Sequence, residues 1–276
     1  SRYIKDTTVQ GVTDNTEIRL RGMMHNTLHS MLVGCRKITA PYGSTINDRD
    51  LEALDGVHTI SLNGCKEVTD KGIKSLAGVH EIDLGFCTSI GDECIKALKG
   101  VHTIHLSFTS VTDEGLKALK GVHSITLISC DRVTDEGIKA LEGVHTILLG
   151  FTKVTDESLK YLKDVHEISL MGCRQITDEG VKALQNVHTI RLDNTEVTDA
   201  CLEYLTNVHS ISLSGCRNMT EKGIQALKGV QKTHRRGISI PVSAKTVRAL
   251  NDICFPILHC KSVTDKGVVG FKIARI

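Results

Sequence analysis

The chain has 276 residues, is 40% apolar and 24% charged, and carries a formal net charge of +2. That balance suits a globular protein and argues against a general nucleic-acid binder. Aromatics make up only 3%, with no tryptophan, so base-stacking platforms and aromatic cages have little to be built from. No apolar run is long enough to span a membrane, and the first residues hold no signal-peptide core.

Taken in chain order, Thr16-Glu17-Ile18-Arg19-Leu20 reads as a strand. Cys35-Arg36-Lys37-Ile38-Thr39 matches Cys173-Arg174-Gln175-Ile176-Thr177 further on, and an insertion near 40–46 follows it. From Gly56 the chain is plainly repetitive. Units begin at Gly56, Gly78, Gly100, Gly121, Gly143, Asp164, Asn186 and Asn207, each 21 or 22 residues long. Their common pattern is V-H-x-I-x-L, a Cys or Thr, V-T-D, and G-I/L-K-A-L. Thr units (Thr109, Thr152, Thr195) have one residue before the following Val, and Cys units have two.

Each unit reads as a short strand and a short helix. The alternation of Ile60 and Leu62 buries one strand face. The aspartates Asp70, Asp113, Asp135, Asp156, Asp178 and Asp199 are expected to cap the helices. After the last Leu and one variable residue comes Gly, Asp or Asn, the types that tolerate a left-handed turn residue. One unit cannot bury its own core, so neighbours must stack. The expected architecture is an α/β solenoid of about ten repeats over residues 1–276 as a single domain. Parallel strands would line its concave face and short helices its convex face. Residues 1–55 are a degenerate N-terminal cap, 56–228 the eight regular repeats, and 229–276 a degenerate C-terminal cap.

This pattern resembles the cysteine-containing class of leucine-rich repeat, best known from F-box/leucine-rich-repeat proteins. The resemblance implies a protein-binding solenoid and, more narrowly, a substrate-recruiting adaptor of a ubiquitin ligase with ligase subunits as partners. The helical F-box of that family has no counterpart in residues 1–55.

The recurring residues read as structural. Thr stands in the cysteine slot and can neither ligate a metal nor form a disulfide, so no metal site and no cofactor is expected. Unpaired thiols in this number point to a reducing compartment, the cytoplasm or nucleus. His58, His80, His102, His123, His145, His166, His188 and His209 share one slot and should form a ladder with a spacing of about 4.8 Å. Stacked imidazoles repel when charged, so the fold is expected to weaken below a pH of about 6.5. Glu93, Glu114, Glu136, Glu157 and Glu179 precede lysines at i, i+3, the spacing of a solvated helix face. Lys232, His234, Arg235 and Arg236 read as a solubilising surface. No catalytic motif is present, and the protein is not expected to be an enzyme.

Information for a partner must lie in the variable slots. The outward strand slots are mostly small and polar, with apolar exceptions at Ile128, Leu148 and Met171. Phe86, Phe108 and Phe151 lie just beyond the strands, either on the rim or packed beneath a neighbouring loop as core filler. Asp83 and His105 flank this centre on one side, Arg191 and Asp193 on the other, the layout of a protein-binding hot spot. The expected function is therefore a non-catalytic protein–protein interaction module. The alternative is a stoichiometric inhibitor or sequestering scaffold with no ubiquitin role.

Overall fold

The computed structural model describes residues 2–4, 17–20, 36–220, 222–223 and 232–234. Cys35, Arg235, Arg236 and the rest of the expected C-terminal cap apart from 232–234 lie outside them. The chain falls into two compact units, Ser1–Val144 and His145–Ile276.

In the first unit, β1 (Arg2–Ile4), β2 (Glu17–Leu20), β3 (Lys37–Thr39), β4 (Thr59–Ser61), β5 (Glu81–Asp83), β6 (Thr103–His105) and β7 (Ser124–Thr126) pair parallel, in chain order. In the second, β8 (Thr146–Leu148), β9 (Glu167–Ser169), β10 (Thr189–Arg191), β11 (Ser210–Ser212) and β12 (Lys232–His234) do the same. Equivalent repeat positions face each other, as in Ile60↔Ile82 and Ile168↔Ile190. Every repeat therefore presents the same side chains to the same layer. Val57, Ile60, Leu62, Cys65, Val68, Ile73 and Leu76 are all buried, and their counterparts repeat this in the following units. A unit this short leaves room for about one helical turn, as in Asp70–Ile73, Asp113–Leu116 and Asp178–Val181. Several of these tighten into a 3-10 turn, such as Lys74–Leu76.

Three local expectations change. The first is register. Ile38 pairs with Ile60 in the sheet, so Lys37–Thr39 is the repeat's strand and does not correspond to the helix-leading Ile176-Thr177. The short motif matches both places, and strand pairing decides between them. Arg36 thereby takes the histidine slot, its carbonyl accepting from His58 N (3.0 Å).

The second is capping. At the six helices expected to be capped by aspartate, the cap is the preceding threonine. Thr69, Thr112, Thr134, Thr155, Thr177 and Thr198 accept from the backbone N–H two residues on. The aspartate instead reaches the next repeat. Asp113 accepts from Thr134 N (2.8 Å) and Thr134 Oγ1 (2.6 Å), and Asp92 does the same for Thr112 (2.8 and 2.7 Å). A first-turn carboxylate points back past its own helix N-terminus, where the neighbour's cap lies.

The third is the turn after the helix. Gly56, Gly78, Gly100, Gly121 and Gly143 do have positive φ, between 79° and 88°. Asp164, Asn186 and Asn207 do not, being absent from the non-glycine residues of positive φ. The preceding residue explains the difference. Ala77 (φ −56°, ψ 133°) sets a type II turn before Gly78, whereas Lys163 (−57°, −28°) and Gln185 (−61°, −25°) set type I turns. Both turns close on the same hydrogen bond, Val79 N to Leu76 O and Val165 N to Leu162 O, each 3.1 Å. The slot thus tolerates two solutions, and only one of them requires glycine.

Candidate protein-binding surface

The outer strand face of the first unit carries small polar side chains around Asp83 and His105. Asp83 is half-buried. Its carboxylate accepts from Ser61 Oγ (3.2 Å), Asn63 Nδ2 (3.1 Å) and Gly85 N (2.9 Å), so it ties the ends of two adjacent strands together. His105 is exposed beside it. A recess of about 120 Å³ runs across this face, lined by Thr39, Ser61, Asp83 and His105 among others.

At the end of each strand the chain turns sharply, and the residue before the Cys or Thr has positive φ. It is Gly64, Phe86 (60°), Phe108 (58°) and Ser129 (56°) in the first unit. In the second it is Phe151 (59°), Gly172, Asn194 (57°) and Gly215. The left-handed region suits glycine and asparagine, and a bulky side chain there stores strain. Three phenylalanines hold it nonetheless, and they are 37%, 44% and 50% exposed. They lie on the rim and do not fill the core.

Neighbouring slots cooperate. The rings of Phe86 and Phe108 stack, with centroids 4.3 Å apart and an interplanar angle of 13°. Tyr42 meets Phe86 edge-on at 6.0 Å and lies over Gly64, where a Cβ would strike its ring (2.6 Å). A recess of about 420 Å³ adjoins this aromatic row, lined by Phe86, Phe108, Ser129 and Arg132 among others. Ile128 is half-buried next to it.

In the second unit, Phe151 lies over Gly172 in the same way. Leu148 and Met171 are half-buried, and Arg191 is exposed. Asp193 is only 4% exposed. Its Oδ1 accepts from Ser214 N (2.8 Å) and Ser212 Oγ (2.5 Å), and its Oδ2 receives Arg191 Nε at 3.3 Å. It orients Arg191 and joins adjacent strand ends.

Residues 101–120 and 161–184 match the family model described as Leucine Rich repeat. Each unit is a leucine-rich-repeat solenoid. No curated protein sequence matches the chain. Among solved structures of similar fold is the Drosophila Toll–Spatzle complex, with 10% identity and a TM-score of 0.59, covering 90% of this chain but 40% of that one. Another is the yeast Rad7–Elc1 complex, with 14% identity and a TM-score of 0.52, covering 87% and 80%. A third is an internalin from Listeria monocytogenes, with 16% identity and a TM-score of 0.54, covering 84% and 73%. The chain thus spans well under half of the Toll-complex chain.

Within the leucine-rich repeats, the cysteine slot is a shared hydrogen-bond node. Cys130 Sγ and Thr109 Oγ1 both donate to Leu106 O (3.1 and 2.7 Å). Cys173 with Thr152 treats Leu149 O the same way (3.1 and 2.6 Å). Burial pushes the Cys65 thiol up to about 11 and Cys87 to about 12, so both stay protonated and inert at neutral pH. Cys94 and Cys201, which the repeat pattern had not placed, occupy the slot of Gly72, Gly115, Gly137 and Gly180. That slot is confined to small residues because the previous repeat's aspartate fills the space. The signal was in the sequence: from Gly72 to Gly223 only Gly, Cys or Ser appears there.

The histidines do stack, for example His58–His80 at 4.5 Å and 16°, His80–His102 at 4.6 Å and 10°, and His188–His209 at 4.5 Å and 8°. The carbonyls of His58, His80, His102, His145, His166 and His188 each accept two N–H groups of the next repeat, as His58 O does from His80 N and Glu81 N (both 3.0 Å). Among the described residues, no group of three or more His, Cys, Asp or Glu side chains is arranged to hold a metal. The expected helix-face ion pairs close at Glu93–Lys96, Glu114–Lys117 and Glu157–Lys160. All are well exposed, and such pairs contribute little.

Proposed function

We propose that the chain is a non-catalytic protein-binding module that engages a partner through its strand faces and the rim at their C-terminal ends. One observation carries the reading. Phe86, Phe108 and Phe151 stand exposed in a backbone conformation that costs about 1–3 kcal/mol each and that glycine adopts freely in equivalent repeats. Core packing does not explain them, and large exposed apolar groups on a repeat scaffold mark interaction surfaces. Two of the structurally similar proteins, Toll and Rad7, were solved in complex with a partner, which supports the same reading.

The test is affinity capture from source-cell lysate with the wild type and with Phe86→Gly, Phe108→Gly, Phe151→Gly combined. Glycine suits the slot, so the variant keeps its fold. A partner held by the wild type and lost by the variant is the expected result. Equal capture by both would remove the rim from the interface and sink the proposal.

The narrower reading is a substrate-recruiting adaptor of a ubiquitin ligase, and the repeated Cys/Thr slot favours it. Ligase subunits in the captured material would support it. A single stoichiometric client without them would favour an inhibitor or scaffold. The described cysteines are free and buried, which fits a reducing compartment such as the cytoplasm or nucleus.

A further inference from the structure

The second unit differs from the first in what surrounds its exposed ring. Phe151 N donates to Met171 O (2.8 Å), and the Phe151 ring covers Gly172. Arg191 Nη2 lies 4.0 Å from Met171 Sδ, so the guanidinium borders the apolar pair directly. Leu148 and Arg191 flank the small, buried Ser169 in sheet register. Phe151, Met171, Leu148 and Arg191 therefore form one apolar patch with a cation at its border.

Exposed cations line the rim around it. Lys153 and Arg174 follow two residues after Phe151 and Gly172, and both are exposed. The carboxylates of the same rim are engaged. Asp193 is buried and bonded to Ser212, Ser214 and Arg191, and Glu196 receives Asn218 Nδ2 (3.3 Å). Arg191 keeps half of its side chain exposed although Asp193 holds its Nε. A guanidinium held in place yet open to solvent is preorganised to pair with a carboxylate. In the first unit, by contrast, Arg132 has Asp131 beside it in sequence, next to the same recess.

We infer that this patch of the second unit binds an acidic, extended protein segment carrying one apolar anchor residue. The inference rests on the protein-binding reading above and names the partner's chemistry. The anchor covers Phe151, Met171 and Leu148, and the acidic residues on either side meet Arg191, Arg174 and Lys153. A single-stranded nucleic acid fits less well. One ring without an aromatic neighbour in the next slot, which is Gly172 and then Asn194, offers no run of stacking positions, and the rest of the patch is aliphatic.

The test is fluorescence anisotropy on the full chain with four labelled probes. The first is a decapeptide of Asp and Glu with a central Phe. The second has Ala at its centre, the third replaces the acids with Lys, and the fourth is a ten-nucleotide oligouridine. The first peptide should bind about tenfold or more tightly than the other three, and more weakly as salt is raised. Phe151→Gly and Arg191→Ser should each weaken it about tenfold. Both introduce a residue that neighbouring repeats carry at the same slot, Gly172 and Gly215 or Ser169 and Ser212, so the fold is kept. Lys117→Ala, on the exposed helix face of the first unit and away from the rim, should leave the affinity unchanged.

Equal affinity for the lysine peptide or the oligouridine would overturn the inference, as would binding indifferent to Phe151→Gly and Arg191→Ser. Failure of every peptide, with the triple phenylalanine variant still losing its lysate partner, would overturn this inference and leave the protein-binding module standing.

Discussion

Asp156 lies in the first turn of its own helix, yet both of its oxygens serve the next repeat, accepting from Thr177 N (2.8 Å) and Thr177 Oγ1 (2.6 Å). Thr177 meanwhile caps its helix by accepting from Glu179 N (3.3 Å). The two residues chain one helix start to the next through charge-assisted bonds. Three residues beyond Thr177, Gly180 leaves the space that the Asp156 carboxylate occupies.

Gly180→Ala should therefore destabilise the protein, although alanine is the better helix former by about 1 kcal/mol. Its Cβ would meet Asp156 Oδ1, and overpacking of this kind costs about 1–3 kcal/mol. In an Asp156→Ala background the same change should turn neutral or stabilising. Urea unfolding of the four proteins measures the coupling. Simple additivity of the two changes would show that the carboxylate does not set the glycine.

Phe108→Gly should stabilise the chain relative to Phe108→Ala by about 1 kcal/mol, because glycine relieves the φ of 58° and alanine does not. Thermal melts of the pair read this directly. If the alanine variant melts at or above the glycine variant, the rim is unstrained and the functional argument built on it loses its base.

The helix-exit slot predicts unequal costs for one substitution type. Gly121→Ala forces a side chain to a φ of 86° and should cost about 1 kcal/mol. Asn186→Ala sits in a type I turn that alanine accepts and should stay within about 0.5 kcal/mol. Comparable losses in the two variants would contradict the two-turn account.

Alkaline pH should unfold the protein through its thiols. Cys87 rises from 9.0 to about 12 on burial. The unfolded chain releases the proton first as pH climbs. The stability linked to this thiol is thus complete below pH 9 and is lost between about pH 9 and 12, at about 1.4 kcal/mol per unit. The melting temperature should fall steeply above pH 9, and Cys87→Ala should make the fall shallower than in the wild type. Parallel curves for the two would mean that Cys87 ionises without unfolding.

The sequence by itself determined the repeat, its 21- or 22-residue length and its buried positions, because period-2 alternation and recurrence leave one way to stack such units. It also placed Phe86, Phe108 and Phe151 beyond the strands and left open whether they were buried. Tertiary structure decided what depends on the neighbouring repeat. Asp156 reads as a cap from its own helix and proves to be a clamp only when Thr177 is seen above it. Cys94 and Cys201 had no role until the previous repeat's aspartate showed why their slot admits only small residues. Ile38 could follow either of two local patterns until it paired with Ile60. Asp83 and Asp193 read as open charges because a sequence does not show Ser61, Asn63, Ser212 and Ser214 converging on them. Local propensity acts within about one turn of chain, and these contacts join residues about 20 positions apart, so only the packed stack could supply them.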